Sequence, residues 1–457
     1  MSTDFRETLY TIDKRGNRKW VYPTFAPGKI FKLRSVVVYA LVALLLSMPW
    51  IPIEDTQAIL LDIPHRRFII LGETFWATDT RFLFLLLISA GLSLFFFTAL
   101  LGRVWCGWAC PQTVFLEFVF RPIERLIEGN NAKRLRLDMA PWGPRKILIK
   151  GTKYAAFVLV AWFLASTLLA YFIGREALIN MMWDGPALHL TTFVTTIFLM
   201  VIFLFEFGWF REQFCTLVCP YARFQSVLMD RDSVLVGYDK RRGEPRGKGS
   251  EGIGDCVDCG LCVRVCPTGI DIRNGTQLEC IQCASCIDAC NSIMHKLGRA
   301  PGLIRYDTER GLLDGVRKFA RPRVFIYGAL LSIVAVIFVT LLAVRKEGEF
   351  LVIRQVKAEP FQVLPDGMIA NQFKVHIGNK SDELRSYRIS LVRDDAVTLV
   401  TPVSPFPVPS GSSSNMPLFV QFKPEEFAGT SILVQLEDEK GIIGRQKVPL
   451  LRPGKMP

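Results

Sequence analysis

Five long apolar segments place the strongest constraint on what this chain of 457 residues can fold into. Each is close to the ~20 residues that an α-helix needs to cross ~30 Å of hydrocarbon, and none carries a charged stripe. We therefore predict five transmembrane helices, at Val36–Ile53, Phe82–Leu101, Tyr154–Gly174, Ala187–Phe207 and Val324–Val344. The first contains Pro49 and Pro52, which neighbouring helices can accommodate in a membrane. Residues 1–35 before it are polar, so we expect a retained anchor and not a cleaved signal peptide.

The distribution of basic residues predicts which ends of these helices are cytoplasmic. The net charge is +13, with 55 Lys and Arg against 42 Asp and Glu. Residues 1–35 contain eight Lys or Arg and residues 102–152 contain nine, whereas residues 54–81 contain three and residues 175–185 contain one. Basic connections stay in the cytoplasm, so we predict a cytoplasmic N-terminus and a periplasmic chain after Val344, in the inner membrane of a bacterium. The sequence has no nucleic-acid recognition motif, so membrane lipid and not nucleic acid is the expected partner of this charge.

Residues 345–457 differ from the rest of the chain because short apolar and polar runs alternate between clusters of Asn, Gly, Pro and Ser. Examples of these runs are Phe350–Val356, Gln372–Ile377, Tyr387–Val392, Leu418–Phe422 and Ser431–Leu436. About seven short strands in ~105 residues predict an antiparallel immunoglobulin-like β-sandwich. The segment contains no cysteine, so a hydrophobic core and not a disulfide must stabilise it. Such a domain usually serves for binding or spacing and not for catalysis.

Eight of the twelve cysteines form two consecutive C-x2-C-x2-C-x3-C runs. The runs are Cys256, Cys259, Cys262 and Cys266, followed by Pro267, and then Cys280, Cys283, Cys286 and Cys290. This is the spacing of bacterial ferredoxins, in which three thiolates of a run bind one cubane and the fourth reaches the other. We predict two [4Fe–4S] clusters, the first held by Cys256, Cys259, Cys262 and Cys290 and the second by Cys280, Cys283, Cys286 and Cys266.

Zinc is the alternative occupant, because C-x2-C pairs also suit tetrahedral zinc knuckles. A pair of zinc sites explains neither the doubled pattern nor Pro267. Asn291 departs from the ferredoxin pattern, which usually has a proline after the last cysteine. We expect this change to alter the turn after Cys290 and to leave the ligands intact.

The other four cysteines form a second repeat, in which a C-x3-C-P motif follows the cytoplasmic end of a predicted span. The motifs are Cys106, Cys110 and Pro111 after the second span, and Cys215, Cys219 and Pro220 after the fourth. In each motif a phenylalanine follows the proline by four residues. If the two halves pack about a pseudo-two-fold axis, the four thiols meet at the membrane surface. Small interfacial residues are the alternative, but a redox or metal site is favoured, with Cu(I) or a further iron–sulfur centre as the occupant that suits soft thiolates.

The predicted fold class is an α-helical membrane protein with a cytoplasmic bacterial-type 2[4Fe–4S] ferredoxin module and a C-terminal all-β immunoglobulin-like sandwich. The predicted segments are 1–35, a cytoplasmic segment; 36–101, the first two spans; 102–153, a connection with the first C-x3-C-P motif; 154–207, the third and fourth spans; 208–230, the second motif; 231–254, a basic linker; 255–322, the ferredoxin module; 323–344, the fifth span; and 345–457, the β-sandwich. The sequence has no Walker loop, dinucleotide fingerprint or serine nucleophile elbow, so electron transfer is the expected activity.

The chain closely resembles the cytochrome c oxidase accessory family, the FixG-type membrane ferredoxins, over nearly its whole length. Besides both cysteine repeats, the segments Arg18–Pro23, Pro49–Ile53, Leu61–Phe68 and Gly302–Tyr306 carry the resemblance. It implies a role in maturing the copper centre of a cbb-type haem–copper oxidase by reducing Cu(II) to Cu(I). In that interpretation the clusters pass electrons to copper held by Cys106, Cys110, Cys215 and Cys219, and oxidase subunits or assembly factors are the partners. The resemblance does not identify the electron donor.

Two other functions remain open at this point. A quinol-linked electron conduit to a periplasmic reductase would have similar cysteine motifs, but the fifth span and the β-domain argue against it. A non-enzymatic scaffold for oxidase assembly would use the β-domain for docking and the clusters for structure alone. Turnover separates the three, because a conduit is reduced by quinol, a cupric reductase consumes Cu(II) and a scaffold does neither.

Overall fold

The computed structural model describes residues 10–12, 15–53, 56–64, 67–76, 80–247, 252–318, 320–344, 348–354, 361–365, 367–379, 381, 383–392, 396–409, 412–427 and 429–452. The chain divides into two compact units, Met1–Val336 and Ile337–Pro457. The α-helices are α1 Lys29–Ser47, α2 Thr80–Leu101, α3 Val104–Trp108, α4 Pro111–Phe115, α5 Arg121–Glu128, α6 Asn131–Met139, α7 Pro144–Ile173, α8 Arg175–Asp184, α9 Leu190–Phe203, α10 Pro220–Leu228, α11 Lys240–Gly243, α12 Leu261–Arg264, α13 Ser285–Lys296, α14 Glu309–Asp314 and α15 Pro322–Ala343.

Strands and non-α helical turns complete the list of elements. The strands are β1 Pro52–Ile53, β2 Thr56–Gln57, β3 Ile59–Asp62, β4 Arg67–Ile70, β5 Glu73–Trp76, β6 Val234–Tyr238, β7 Ile304–Thr308, β8 Gly348–Arg354, β9 Gln362–Val363, β10 Ile369–Asn379, β11 Arg385–Leu391, β12 Val397–Val400, β13 Phe406–Val408, β14 Ser413–Phe422, β15 Ser431–Asp438 and β16 Gly441–Pro449. Short 3-10 turns occupy Met48–Trp50 and Ile272–Asn274, and π-helical turns occupy Leu116–Phe120, Leu204–Phe210 and Phe214–Val218.

Five helices in the described chain are long and apolar enough to cross a membrane, which confirms the predicted number. They are Lys29–Trp50, Arg81–Leu101, Pro144–Ile173, Leu190–Phe210 and Pro322–Ala343. Two of the helices begin earlier than predicted, because they include basic residues that precede the apolar segment. The first helix starts at Lys29 instead of Val36, and the third starts at Pro144 instead of Tyr154. Long basic side chains in these first turns can stay in the headgroup region while the backbone remains helical. The fourth helix extends to Phe210 through a π-helical turn. The sidedness of the connections stays a prediction.

The connection between the first and second spans contains short antiparallel strands that the sequence pattern did not predict. β1 pairs with β2, and β3, β4 and β5 form a small sheet. Gln57 fixes this connection to the third span, because its side-chain Nε2 donates to the carbonyl oxygen of Ala170 at 3.0 Å. The segment Leu61–Phe68 passes through this sheet, but His65 and Arg66 within it lie outside the described residues.

The segment 231–254, predicted as a basic linker, contains β6 and α11 instead. β6 pairs antiparallel with β7, from Val234 opposite Thr308 to Tyr238 opposite Ile304. The sheet packs in an apolar core with the loops that carry the ferredoxin-type cysteines. The prediction differed because the basic run after Tyr238 masked a short buried strand. In that run Arg242 is structural, since it bonds Asp255 and the carbonyl oxygens of Ala300 and Pro301.

The second unit contains the antiparallel β-sandwich that the alternating pattern predicted. One sheet has the order β12-β14-β10-β8, with β9 also paired to β10, and the other has the order β13-β11-β15-β16. The period-two alternation turns Phe373, Val375 and Ile377 of β10 inward, where each is at most 1% exposed. Burying a side chain of this kind stabilises the fold by about 2 kcal/mol. β9 and β13 have only two and three residues, too few to produce an alternating signal.

Candidate metal centres

The eight cysteines of the ferredoxin-type runs surround two neighbouring cavities. The first cavity is lined by Cys256, Cys259, Cys262 and Cys290. The second cavity is lined by Cys266, Cys280, Cys283 and Cys286, and Cys262 also reaches its wall. The last cysteine of each run therefore lies at the cavity of the other run. This exchange arises because Cys266 follows α12 and Cys290 lies in α13, about one helical turn beyond the preceding cysteine.

The two cysteine loops repeat each other in backbone conformation. Asp258 and Gly260 have φ angles of 51° and 63°, and their counterparts Gln282 and Ala284 have 54° and 62°. A residue with a Cβ in this left-handed region costs ~1–2 kcal/mol, and strain of this kind concentrates at functional sites. Turns of this kind also form concave nests of backbone N–H groups that suit anionic sulfur. The loops therefore have the form of a cradle for a negatively charged cluster.

Most thiols of the two cavities are buried or half-buried, and Cys259 is exposed. Burial raises the pKa of Cys262 and of Cys280 to about 12, and that of Cys290 to about 11. Burial therefore favours the protonated form of these three free thiols, whereas a thiol that coordinates a metal is deprotonated outright. The apolar surroundings also include Ile270 and Leu303, which are almost fully buried. Such a thiolate-rich, water-poor donor set fits an iron–sulfur cluster.

No three His, Cys, Asp or Glu side chains of the described residues converge closely enough to hold a single metal ion. A tetrahedral zinc site needs four ligands on one ion, whereas a cubane takes one thiolate at each of its irons and so needs wider spacing.

The two C-x3-C-P motifs also share their backbone geometry. Gly102 and Arg211 lie four residues before the first cysteine of each motif, and their φ angles are 61° and 55°. Cys110 and Cys219 are both extended, with φ of −62° and −60°, and each directly precedes a helix that begins with proline. Proline suits the first position of a helix because the missing N–H has no partner there. The internal repeat in the sequence is thus a repeat in structure.

The four motif thiols lie close together; we call Cys106, Cys110, Cys215 and Cys219 the four-thiol group. The pKa of Cys106 is raised to about 11, chiefly by burial and also by the neighbouring Cys110 and Cys219, whereas the positive charge of Arg103 opposes this rise. Burial also raises the pKa of Cys215, with further contributions from the three other thiols. The group thus has four soft donors in a poorly hydrated site, although no three of them converge on one point.

Gln225 is a member of this site that the sequence reasoning missed. The Sγ of Cys106 donates to its Oε1 at 3.0 Å, and its Nε2 donates to the Oγ1 of Thr98 at 3.4 Å. Gln225 is 1% exposed and lies in α10, after the second motif. The bond therefore joins a cysteine of the first motif to the helix of the second. A glutamine within an ordinary helical pattern gives no signal for this role.

Gly107 brings the four-thiol group against the second cavity. A Cβ at this position would lie 2.5 Å from the carbonyl oxygen of Ile281 and 2.9 Å from the Cα of Cys283, so only glycine allows this approach. The Nε of Arg34 donates to the carbonyl oxygen of Gly107 at 2.6 Å. The chain segment between Cys106 and Cys110 is therefore held in direct contact with the loop of the second cavity.

A chain of hydrogen bonds joins the same two regions. The Nε1 of Trp108 donates to the hydroxyl of Tyr306 at 3.0 Å, and that hydroxyl donates to the carbonyl oxygen of Gln282 at 2.7 Å. Tyr306 lies in β7 and belongs to the segment Gly302–Tyr306 that carried the resemblance. Tyr306 thus contributes to the site by linking Trp108 to Gln282, although tyrosine is not a residue type that would be predicted as a ligand of these metal centres.

A buried ion-pair network connects the two repeats. Arg211, before the second motif, donates to both carboxylate oxygens of Glu124 in α5, at 3.1 and 2.9 Å. Glu124 also pairs with Arg134, and Glu212 accepts from Arg121 at 3.2 Å. Burial alone would raise the pKa of Glu124, but Arg211 and Arg134 lower it below its usual range. Paired charges of both repeats thus fix the helices that position the four-thiol group.

A cavity of about 500 Å³ lies on another side of the second cavity. Cys280 is among its lining residues, together with Arg103, Gln277 and Val236. Its volume is in the range of sites that bind small organic molecules.

Three family models match this chain. Residues 82–130 match a 4Fe-4S binding domain, and residues 210–309 match a 4Fe-4S dicluster domain. Residues 338–453 match the IG-like fold at the C-terminal of FixG. The first model includes Cys106 and Cys110, so an iron–sulfur occupant of the four-thiol group stays open beside copper. The dicluster match supports iron–sulfur clusters at the paired cavities.

Several curated proteins are similar to the chain over most of their length. Protein RdxA of Cereibacter sphaeroides is 36% identical over 392 residues, which cover 81% of this chain and 82% of RdxA. Nitrogen fixation protein FixG of Rhizobium meliloti is 34% identical over 444 residues, covering 86% of this chain and 84% of FixG. Protein RdxB of Cereibacter sphaeroides is 36% identical over 403 residues, covering 84% of each chain. With the five apolar helices, the cysteine cavities and the C-terminal sandwich, these likenesses show that the chain belongs to the FixG/RdxA family of membrane iron–sulfur electron-transfer proteins.

Proposed function

We propose that this protein reduces Cu(II) to Cu(I) for the assembly of a cbb-type cytochrome c oxidase. The observation that carries the proposal is the direct contact between the four-thiol group and the loop of the second cavity at Gly107 and Cys283. Because thiolates prefer Cu(I), a group of thiols in a poorly hydrated site favours the reduced ion over Cu(II). An electron carrier packed against such a site can supply the one electron that the reduction requires.

In this proposal each of the two cavities holds one [4Fe–4S] cluster, and the cysteines that line the cavity are its ligands. Cys256, Cys259, Cys262 and Cys290 would hold the first [4Fe–4S] cluster, and Cys266, Cys280, Cys283 and Cys286 the second. Each cluster supplies a one-electron couple when bound, with a potential set by its surroundings. The protein's own residues bury Cys262 and Cys283, one ligand of each proposed cluster. The Trp108–Tyr306–Gln282 hydrogen bonds fix the second loop relative to the four-thiol group.

Cu(II) is the substrate in this proposal. Cys106, Cys110, Cys215 and Cys219 would bind it, and Cu(I) would remain on their thiolates until a partner takes it. The [4Fe–4S] cluster that Cys266, Cys280, Cys283 and Cys286 would hold supplies the one electron when bound and is oxidised by one electron in return. Gln225 would orient Cys106 by its hydrogen bond, and the ion-pair network of Arg211 and Glu124 would hold the two motifs in register.

The predicted orientation in the membrane determines on which side the cysteine sites and the β-sandwich would lie. The basic connections support an inner-membrane protein with the cysteine sites in the cytoplasm and the β-sandwich in the periplasm. There the sandwich would bind oxidase subunits or assembly factors, the partners expected of an accessory protein. The electron donor would enter from the cytoplasm or the membrane.

The test follows copper and the clusters together. Purified protein is reduced without oxygen, the clusters are monitored by EPR, and Cu(II) is added with a chelator specific for Cu(I). We expect reoxidation of the clusters with stoichiometric Cu(I), and loss of both when the four cysteines are changed to serine. His189→Ala and His376→Ala are matched controls, because they remove other copper-binding side chains far from the motifs in sequence.

Each alternative has its own signature in this experiment. Clusters that stay reduced in the presence of Cu(II) contradict cupric reductase activity, and rapid reduction by a quinol would then favour the conduit. No exchange with either reagent would favour a scaffold. A third iron–sulfur signal that disappears in the four-serine variant would assign the four-thiol group to iron instead of copper.

A further inference from the structure

Four arginines line a cleft that opens next to the second cavity; we call this the arginine cleft. They are Arg34 of α1, Arg121 and Arg125 of α5, and Arg134 of α6. Ser285, between two cysteines of the second run, also lines it. Among the described residues of its wall, Glu117 is the one carboxylate. The cleft thus concentrates positive charge beside the metal centre.

The ion pairs of the protein leave part of this charge unbalanced. Arg121 pairs with Glu117 and Glu212, and Arg134 pairs with Glu124 and Glu128. Arg34 and Arg125 have no carboxylate within 4.0 Å among the residues that the structure describes. Arg125 instead lies over the ring of Phe25, with its Cζ 4.0 Å from the ring centroid.

Several guanidinium N–H groups of the cleft also lack partners. Arg34 is only 2% exposed, and its Nη2 is buried without a hydrogen bond to the described chain. The same holds for the Nε atom of Arg121, a residue that is 4% exposed. The Nε of Arg134 instead faces Glu128, whose Oε2 lies 3.5 Å away. Buried donors of a charged group are almost always satisfied in folded proteins, because leaving them unpaired is costly. The two unpaired donors of Arg34 and Arg121 are therefore available to a bound acceptor.

The shape and chemistry of the cleft select the class of that acceptor. Its volume is about 50 Å³, several times the space that one buried water needs. Guanidinium groups bind tetrahedral oxyanions through paired N–H donors, and several arginines together neutralise a doubly charged group. The hydroxyl-bearing residues Thr24 and Ser285 add further donors to the wall. We propose that the arginine cleft is a phosphate-binding site.

The phosphate can come from a lipid headgroup or from free phosphate. The cleft lies at the end of the first membrane-spanning helix, since Phe31 and Arg34 belong to the first turns of that helix and line the cleft. This is the depth at which headgroup phosphates occur in a bilayer. Free inorganic phosphate would make the same contacts, so the experiment has to separate the two sources. The proposal does not depend on copper reduction.

The test uses the full-length protein and two probes. In the first arm, delipidated protein in detergent is titrated with inorganic phosphate by calorimetry. In the second, protein is reconstituted into phosphatidylcholine nanodiscs with or without phosphatidylglycerol, and native mass spectrometry counts the lipid that stays bound. We expect one site per chain in at least one arm. A site in the first arm identifies free phosphate, and a site found only in the second identifies a lipid.

Arg125→Gln is the diagnostic variant, because Arg125 makes no ion pair among the described residues and its loss leaves the buried network intact. We expect about tenfold weaker binding, the effect of losing one charge-assisted contact. Arg136→Gln is the matched control, since it removes an exposed charge from α6 outside the cleft and should leave binding unchanged. The cluster absorption spectrum verifies that both variants are folded.

Three results would overturn the proposal. They are no bound phosphate in either arm, equal loss of binding in both variants, and unchanged binding in folded Arg125→Gln. Should Arg125→Gln fail to fold, Arg125→Lys keeps the charge but removes the paired donors, and unchanged binding in that variant would contradict the proposal as well.

Discussion

At the scale of single residues, Gly107 is the closest link between the two cysteine systems. It stands between the cysteines of the first C-x3-C-P motif, and its missing side chain lets the backbone touch the loop of the second cavity. Arg34 holds its carbonyl oxygen in place. A residue without a functional group thus sets the distance between these two segments, because any side chain here would push them apart.

Changing Gly107 to alanine should slow electron transfer without removing either cluster. The added Cβ would lie 2.5 Å from a backbone oxygen, so the two segments must move apart. Misplacement by about 1 Å can cost up to ~100-fold in rate, and we expect cluster reoxidation by Cu(II) to slow by tenfold or more in stopped-flow measurements. Gly151→Ala is the control, because nothing lies within 4 Å of a Cβ there. An unchanged rate in Gly107→Ala would mean that electrons take another path.

At the scale of elements, the two ferredoxin-type loops are copies that differ at one informative position. Gly260 and Ala284 occupy the same left-handed conformation, one with and one without a Cβ. The cradle therefore tolerates a methyl group at this point, at a conformational cost.

Gly260→Ala should consequently destabilise the protein by about 1–2 kcal/mol and still assemble its clusters. A Cβ at Gly260 would meet only the end of Arg264, at 3.8 Å, so the cost is backbone strain and not a clash. Ala284→Gly should change stability in the opposite direction, by a smaller amount because the unfolded chain gains freedom. Thermal unfolding measures both effects, and cluster content per chain measures assembly. Loss of clusters in Gly260→Ala would contradict the equivalence of the loops.

The ion pairs between the repeats make a second prediction at this scale. Glu124 is 1% exposed and accepts from Arg211 and Arg134, so Glu124→Gln leaves buried arginines without their partner. Breaking such a buried network typically costs ~3–5 kcal/mol. Glu176→Gln, which removes an exposed carboxylate paired with Arg175, should have little effect on the Tm.

The same carboxylate predicts a pH dependence. The pKa of Glu124 in the folded protein lies below its ordinary value of 4.5, so its pairing stabilises the protein above that value and the stabilisation is lost as the pH falls below it. The difference in Tm between wild type and Glu124→Gln should therefore shrink on acidification. We expect the difference in Tm to stay constant between pH 7 and about 5 and to shrink at lower pH, and a difference that grew below that pH would contradict the prediction.

At the scale of the whole molecule, the chain consists of two compact units with separate cores. All twelve cysteines precede residue 337, where the second unit begins. Among the described residues, the sandwich has its own core of eighteen buried hydrophobic side chains. The candidate metal ligands thus lie in the first unit, and the β-sandwich lies in the second.

Removing residues 345–457 should leave the iron–sulfur spectrum unchanged, because no cysteine or cavity-lining residue is lost. EPR and the iron content per chain test this on the truncated membrane protein. A full-length protein with the Cys256→Ser change is the comparison that should lose signal. Loss of the spectrum on truncation would show that the second unit is needed to build the metal centres.

The sequence by itself determined the features that depend on local pattern. Apolar length gave the five spans, alternation gave the sandwich, and the spacing of Cys256–Cys290 indicated iron–sulfur clusters, since each of these signals lies within a few neighbouring residues. The span ends, the strand β6 and the small sheet after the first span were not apparent, because basic flanks or short length obscured them.

Only the tertiary structure decided which distant residues meet. The contact of Gly107 with Cys283, the bond of Cys106 with Gln225, and the pairing of Arg211 with Glu124 each join positions far apart in the chain. Glycine, glutamine and a paired arginine carry no pattern that identifies a partner, since their roles depend on packing and on the desolvation of buried charge. The chemistry of the centre was therefore present in the sequence, whereas the route between its parts was set by the fold.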